Sequence, residues 1–233
     1  MGVLETVARI QHLGLGPHFE AKVAALRASF ELRTGAFSSE DAWFEERSRA
    51  FWSDAVTAGR FGRHVEGELG AAERGWLGPL ERAHRGLFRA AKGNLLIDAW
   101  SGAELLVTAL DDQSRAELRA SSGQLFDGRV VACEEPWTVA LLPGAIFHAA
   151  SATVPIGHVI SSARARSLST VETLDALLRM DRTLRSLSRV KAAFAYRPEA
   201  LSPRPPAPQR DAKPIPTPGE RRRGTFRPYD GER

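Results

Sequence analysis

The stretch Gly86–His148 constrains the fold more than any other part of the chain. It breaks into short runs dense in Leu, Val, Ile and aromatic residues: Gly86–Ala91, Asn94–Trp100, Ala103–Ala109, Gln124–Cys133, Thr138–Leu142 and Ala145–His148. Gly93-Asn94, Ser101-Gly102 and Pro143-Gly144 supply the tight-turn chemistry between them. One helical piece, Asp111–Arg119, interrupts the runs, with Asp112 or Ser114 as its cap. Three strands, a helix, then two or three strands is the element order of a five-stranded OB-like barrel. An SH3-like barrel or a bent antiparallel sheet shares much of that order.

Several of these strands are apolar on both faces. Leu95, Ile97 and Ala99 alternate with Leu96 and Trp100 around Asp98, and Leu105 and Val107 oppose Leu106. A barrel standing alone would show water a polar outer face. The sequence therefore predicts that helices enclose the barrel in one α+β unit.

Helical patterns flank the stretch on both sides. Residues 3–13 form a short helix stopped by Gly14, Gly16 and Pro17. In residues 17–34, Phe19, Val23, Leu26 and Phe30 recur at spacings of four, three and four, one face of a helix. Ser38 and Asp41 have capping-box spacing for a third helix with Phe44, Phe51 and Ala55 on its stripe. Glycines punctuate residues 60–85, which predicts one or two short helices there. A further helix starts near Pro155. Ser169 and Glu172 make a capping box before Val171, Leu174, Leu177, Leu178, Leu184, Leu187, Val190 and Phe194, read as a buried face.

The expected organisation is a helical region 1–85, a barrel-like region 86–150, closing helices 151–197, and a disordered tail 198–233. The tail holds nine of the chain's 14 prolines and few large apolar residues, so it cannot bury enough surface to offset its chain entropy.

Charge is distributed unevenly. The formal net charge is +4, yet residues 1–160 are slightly acidic and the positive excess lies beyond them. Arg179, Arg182, Arg185 and Arg189 recur every three or four residues, predicting a cationic stripe on the last helix. Arg221, Arg222 and Arg223 stand beside Phe226 and Tyr229 in the tail, a pattern that suits a docking segment. These nine residues are the candidate partner-binding positions, with an acidic protein surface as the matching partner.

The same reading excludes several chemistries. The six histidines form no HxH or HxxxH pair and Cys133 is the only cysteine, so no conventional zinc site is expected. Cys133 reads as a small buried strand residue. No GxSxG elbow, P-loop or dinucleotide fingerprint occurs. Catalytic residues, cofactors and metal are therefore not expected. A single cysteine and the lack of a signal-peptide pattern point to the cytoplasm, and heavy Ala, Arg, Gly and Leu use to a GC-rich bacterial genome. A nucleic-acid-binding OB surface needs basic residues interleaved with exposed aromatics. The aromatic pair on the barrel, Phe88 and Trp100, is flanked instead by Asp98 and Glu104.

The function expected from sequence is a non-catalytic interaction, adaptor or regulatory module, for example one acting on a response regulator or small GTPase. The alternative is nonspecific nucleic-acid association through the basic C-terminal third. An enzyme with an unfamiliar site ranks third.

Overall fold

The computed structural model describes residues 2–187 and 189–201. Its N-terminal part is helical: α1 (Val3–Gly14), a 3-10 turn at Pro17–Phe19 leading into α2 (Glu20–Thr34), α3 (Phe44–Val56), and the short α4 (Phe61–His64), α5 (Ala71–Gly75) and α6 (Leu77–Glu81). Ser38 and Asp41 meet as their spacing suggests, with the Ser38 N–H donating to Asp41 Oδ2 at 2.8 Å. That contact closes a turn, however, and the helix begins only at Phe44. Phe37 lies under the Arg27 guanidinium, 4.4 Å from ring centre to charge, and 6.0 Å from the Phe44 ring. Seating both rings folds residues 37–43 back before the helix can start.

The barrel follows: β1 (His84–Ala90), β2 (Leu95–Asp98), β3 (Glu104–Ala109), α7 (Asp112–Ala120), β4 (Leu125–Ala132), β5 (Thr138–Leu141) and β6 (Ile146–Phe147). Strands close in the order β1-β2-β3-β5-β4-β1, with β6 added along β4. Only β3 and β5 pair in parallel. This is the five-stranded OB-like barrel expected from the element order, plus one extra strand. Asp111 caps α7, accepting from the Ser114 N–H at 2.7 Å, so the cap lies just before the two residues the sequence suggested.

Alternation along β4 sorts the interior from the exterior. Phe126 and Val130 point inward to meet Phe88, Leu96, Val107, Val139 and Leu141. Gly86 and Gly128 are paired across β1 and β4. A Cβ on Gly86 would stand 2.7 Å from the Phe88 ring, and one on Gly128 would stand 3.0 Å from the Phe126 ring. The glycine pair makes room for the two aromatic rings at the barrel centre.

Two further cores form outside the barrel. The N-terminal helices pack over Val131, Ala140, Leu142 and Ile146. The second core covers Leu87 and Leu125 with α8 (Thr153–Ala165), α9 (Thr170–Ser186), α10 (Ala192–Ala195) and a 3-10 turn at Pro198–Leu201. The α9 capping box forms as expected: Ser169 Oγ accepts from the Glu172 N–H at 3.3 Å, and Glu172 Oε2 from the Ser169 N–H at 2.9 Å.

Two expectations need correction. α9 stops at Ser186, because Leu187 is extended and Arg189 turns through a left-handed conformation. Leu187 and Phe194 are therefore exposed, and Val171 in the first turn is exposed as well, so none of the three joins the buried face. The folded unit also runs past residue 197, since Leu201 is buried in the second outer core. Residues 202–233, with Arg221, Arg222, Arg223, Phe226 and Tyr229, lie outside the described residues. The helices pack around the barrel as expected, and part of its outer face stays open to solvent. Leu95 and Ile97 on β2 are only half buried, and Leu106 on β3 is exposed.

Candidate functional site

Where the two outer cores meet the barrel, β1, β4, α2, α3 and α9 each contribute charge. Arg85 on β1 grips Asp127 on β4 with both arms of its fork: Nε to Oδ1 at 3.0 Å and Nη2 to Oδ2 at 2.7 Å. Its remaining Nη1 donates to Asp175 on α9 at 2.6 Å. Asp175 also accepts from Arg33 on α2 at 3.2 Å. Arg33 in turn donates to Asp54 on α3 at 2.6 Å, and Asp54 accepts from Arg129 on β4. The result is an alternating chain: Arg129, Asp54, Arg33, Asp175, Arg85, Asp127.

Its electrostatics follow from burial. Burial alone would lower the Arg85 pKa, but the Asp127 and Asp175 carboxylates outweigh it and raise the value. Arg129 goes the other way. Burial, reinforced by repulsion from Arg85, pulls it down to about 10 against the pull of Asp54. Both guanidiniums stay charged at neutral pH. Each buried charge has an opposite partner, the arrangement that makes such burial tolerable.

A second polar cluster lies between α3, β6, α9 and the C-terminal turn. Arg47, almost fully buried, donates to the Leu178 carbonyl at 2.6 Å and stands 3.7 Å from Asp181. Burial lowers its pKa, with Asp181 compensating in part. Tyr196 donates its one hydroxyl proton to Asp181 Oδ1 at 3.2 Å. Its oxygen therefore accepts from His148 Nδ1, 2.7 Å away. That leaves His148 Nε2 as a buried lone pair without a partner. Burial lowers the His148 pKa, with Asp181 and Asp127 opposing and Arg185 and Arg47 reinforcing the shift. Burial raises that of Tyr196, reinforced by Asp181.

The predicted arginine stripe divides on this framework. Arg185 pairs with Glu46 at 2.6 Å and Asp181 at 2.9 Å and donates to the Phe147 carbonyl. Arg179 donates to the Arg33 carbonyl. These two therefore hold α9 to its neighbours. Arg182 is exposed, and its Cδ lies close over Gly35. Arg189 is exposed beyond the helix end. The four arginines do not make one cationic face.

The aromatic pair expected on the barrel surface is also placed elsewhere. Phe88 is fully buried in the barrel, and Trp100 is half buried with Arg164 stacked 5.2 Å from its ring centre. The exposed aromatic is one the sequence reading missed. Trp137, in the β4–β5 loop, is 72% exposed and sits at φ 63°. Its carbonyl accepts from the Leu106 N–H at 2.9 Å, which fixes its backbone beside β3. Leu95 pairs with Leu106 across β2 and β3, and Ile97 with Glu104. Leu95, Ile97 and Leu106 thus lie on one face of β2 and β3, only partly covered, and Trp137 is exposed just before β5. Cys133 is half buried, with Thr108 Oγ1 3.7 Å from its sulfur, and follows β4 instead of lying within it.

The paired charges left a trace in the sequence: Asp127 and Arg129 alternate inside an otherwise apolar strand. Trp137 left none, since a single aromatic after Pro136 carries no periodicity. Among the described residues, no group of three or more His, Cys, Asp or Glu side chains could hold a metal ion, and no helix is long and apolar enough to cross a membrane. Comparison with protein-family models, with curated proteins and with solved structures found no match.

Proposed function

We propose that the chain is a non-catalytic protein–protein interaction module that receives its partner on the outer face of β2 and β3. The observation that carries this reading is Trp137. A bulky residue in the left-handed region is a backbone outlier. The conformation costs on the order of 1–2 kcal/mol, and such strain concentrates at functional positions. Here the side chain is exposed and the backbone is tied to Leu106, and Trp is the residue type most favoured as an interface anchor. By analogy of fold alone, the same strand pair is the ligand-bearing face of OB barrels.

The acidic charge around the face favours protein over nucleic acid. Glu104 lies on β3 itself, and Glu134 and Glu135 precede Trp137 in its loop. Phosphate would meet these carboxylates first. The ion-pair chain argues in the same direction for the rest of the body. Each of its carboxylates is already gripped by a guanidinium, leaving none free to accept a substrate proton.

Affinity capture with the full chain and with Trp137→Ala tests the reading. It is supported if a protein retained by the wild type, once identified and purified, binds at least about tenfold more weakly to the variant. Equal binding by both chains would move the interface off this face. Nucleic-acid binding that falls steeply with salt and survives Trp137→Ala would replace the protein reading altogether.

A further inference from the structure

A cleft of about 280 Å³ lies between the β1–β2 loop and α7. Ala90, Leu95, Leu110 and Leu118 give it an apolar floor, and Arg115 and Arg119 stand on its wall with Asn94 and Ser122. No carboxylate lines it. We infer that this cleft binds a small organic anion, its apolar body on the leucine floor and its charged group against Arg115 and Arg119.

The distribution of charge carries the inference. Residues 86–160 hold five cationic side chains: Arg89, Lys92, Arg115, Arg119 and Arg129. Arg129 is buried in the ion-pair chain with Asp54. The other four are solvent-exposed and gather at this one end of a segment whose net charge is negative. Arg115 and Arg119 lie on adjacent turns of α7, and Lys92 sits in the β1–β2 loop between the lining Ala91 and Gly93. Arg89 is one residue before the lining Ala90. Arg115 stands 4.0 Å from Asp112, a loose contact between two exposed groups that is worth little. Among the described residues, Arg89, Lys92 and Arg119 have no carboxylate partner.

Size sets the ligand class. The volume lies just under the range of about 300–1,000 Å³ usual for small-molecule sites. It admits a compact metabolite-sized anion and is too small for a helix or a nucleic-acid strand. Arginine forks match both carboxylate and phosphate oxygens, so the shared chemistry is an anionic head on an apolar body. The cleft and the docking face share Leu95, but Arg115 and Arg119 belong to the cleft alone, so their double variant tests the cleft separately from Trp137→Ala.

Titration calorimetry on the full chain, with amide chemical-shift mapping, tests it. The probes are phenyl phosphate and benzoate, with inorganic phosphate and neutral benzyl alcohol as comparisons. The expected result is saturable binding of at least one ring anion, tighter than inorganic phosphate, with shifts at Asn94, Leu118 and Ser122. Preference for phenyl phosphate assigns the site to phosphate esters, and preference for benzoate assigns it to carboxylates. The Arg115→Gln/Arg119→Gln double variant should bind at least about tenfold more weakly, while Arg9→Gln on α1 should match the wild type. Because both arginines are exposed, the double variant is expected to keep the wild-type unfolding midpoint. Three results would overturn the inference: no saturable binding of either ring anion below about 1 mM, equal binding by the double variant, or equal binding of benzyl alcohol. Shifts confined to residues outside the cleft would do so as well.

Discussion

Arg85 and Asp127 face each other across β1 and β4 as Cα neighbours offset by two residues, joined by two parallel hydrogen bonds of 3.0 and 2.7 Å. The pair is buried on both sides, and it is the point where strand pairing and helix docking meet. Arg85 also reaches Asp175 on α9. One guanidinium thus fixes the position of two strands and a helix.

Arg85→Met should be strongly destabilising. It leaves Asp127 buried without its fork partner, and stranding one member of a buried pair costs about 3–5 kcal/mol. The double variant Arg85→Met/Asp127→Leu should lose less than the single one, because no buried charge is then orphaned. Urea unfolding of both proteins measures this. A double variant that is less stable than Arg85→Met would contradict the assignment.

Stability should fall on mild acidification, through His148. Its folded pKa lies below the ordinary 6.5, so the neutral form is the folded form. The sign is that of a depressed group: the contribution is complete above about pH 6.5 and is lost as pH falls from there through the lower folded value. The loss is at most about 1.4 kcal/mol per pH unit. A His148→Gln chain should lack this slope, whatever its absolute stability. Denaturant midpoints from pH 7 to pH 5 give the answer, and parallel curves for the two proteins would dismiss the idea.

Gly144→Ala should be poorly tolerated for two separate reasons. Gly144 sits at φ 95°, and an added Cβ would stand 2.5 Å from the Arg49 carbonyl on α3. Since backbone cannot step aside as a side-chain tip can, the cost should reach about 1–3 kcal/mol or more. Gly93→Ala shares the positive φ but meets no neighbouring atom. It should cost less, which separates the clash from the strain.

Trp137 offers the opposite sign. Trp137→Gly removes the left-handed strain and little buried surface, so it should raise stability by about 0.5–1 kcal/mol. The same change should weaken partner binding at least as much as Trp137→Ala. A stabilised variant with impaired binding is what a strained interface residue implies. Unchanged or reduced stability would mean the indole makes contacts that outweigh the strain.

The C-terminal boundary can be placed by comparing chains that end at residues 201 and 197. The shorter chain loses the buried Leu201 and with it about 2–5 kcal/mol, the range for removing a large core side chain. Equal thermal midpoints for the two would argue that the last turn adds nothing.

Particular elements show how far the sequence could be read. The strand runs and their turns were legible because period-two patterns and turn pairs such as Gly93-Asn94 act between close neighbours. So was the Ser169–Glu172 box, which needs only three residues of spacing. The end of α9 was not legible. Its apolar period continues to Phe194, yet the chain turns at Arg189 to seat Tyr196 against His148. The arginine stripe failed for a related reason. Spacing puts Arg179 and Arg185 on one helix but says nothing of the Arg33 carbonyl or the Glu46 carboxylate that receive them.

The sequence by itself therefore determined the order and type of most elements, because hydrogen-bonded turns, caps and alternation are local; that the strands close into a barrel instead of a bent open sheet was settled by the pairing of β1 with β4. Tertiary structure alone decided which side of the barrel the helices cover and which charges neutralise one another. The physical reason is separation along the chain. Arg85 finds Asp127 across 42 residues and Arg33 finds Asp175 across 142, and no local pattern selects such partners. Leaving Leu106 and Trp137 exposed is a decision of the same kind.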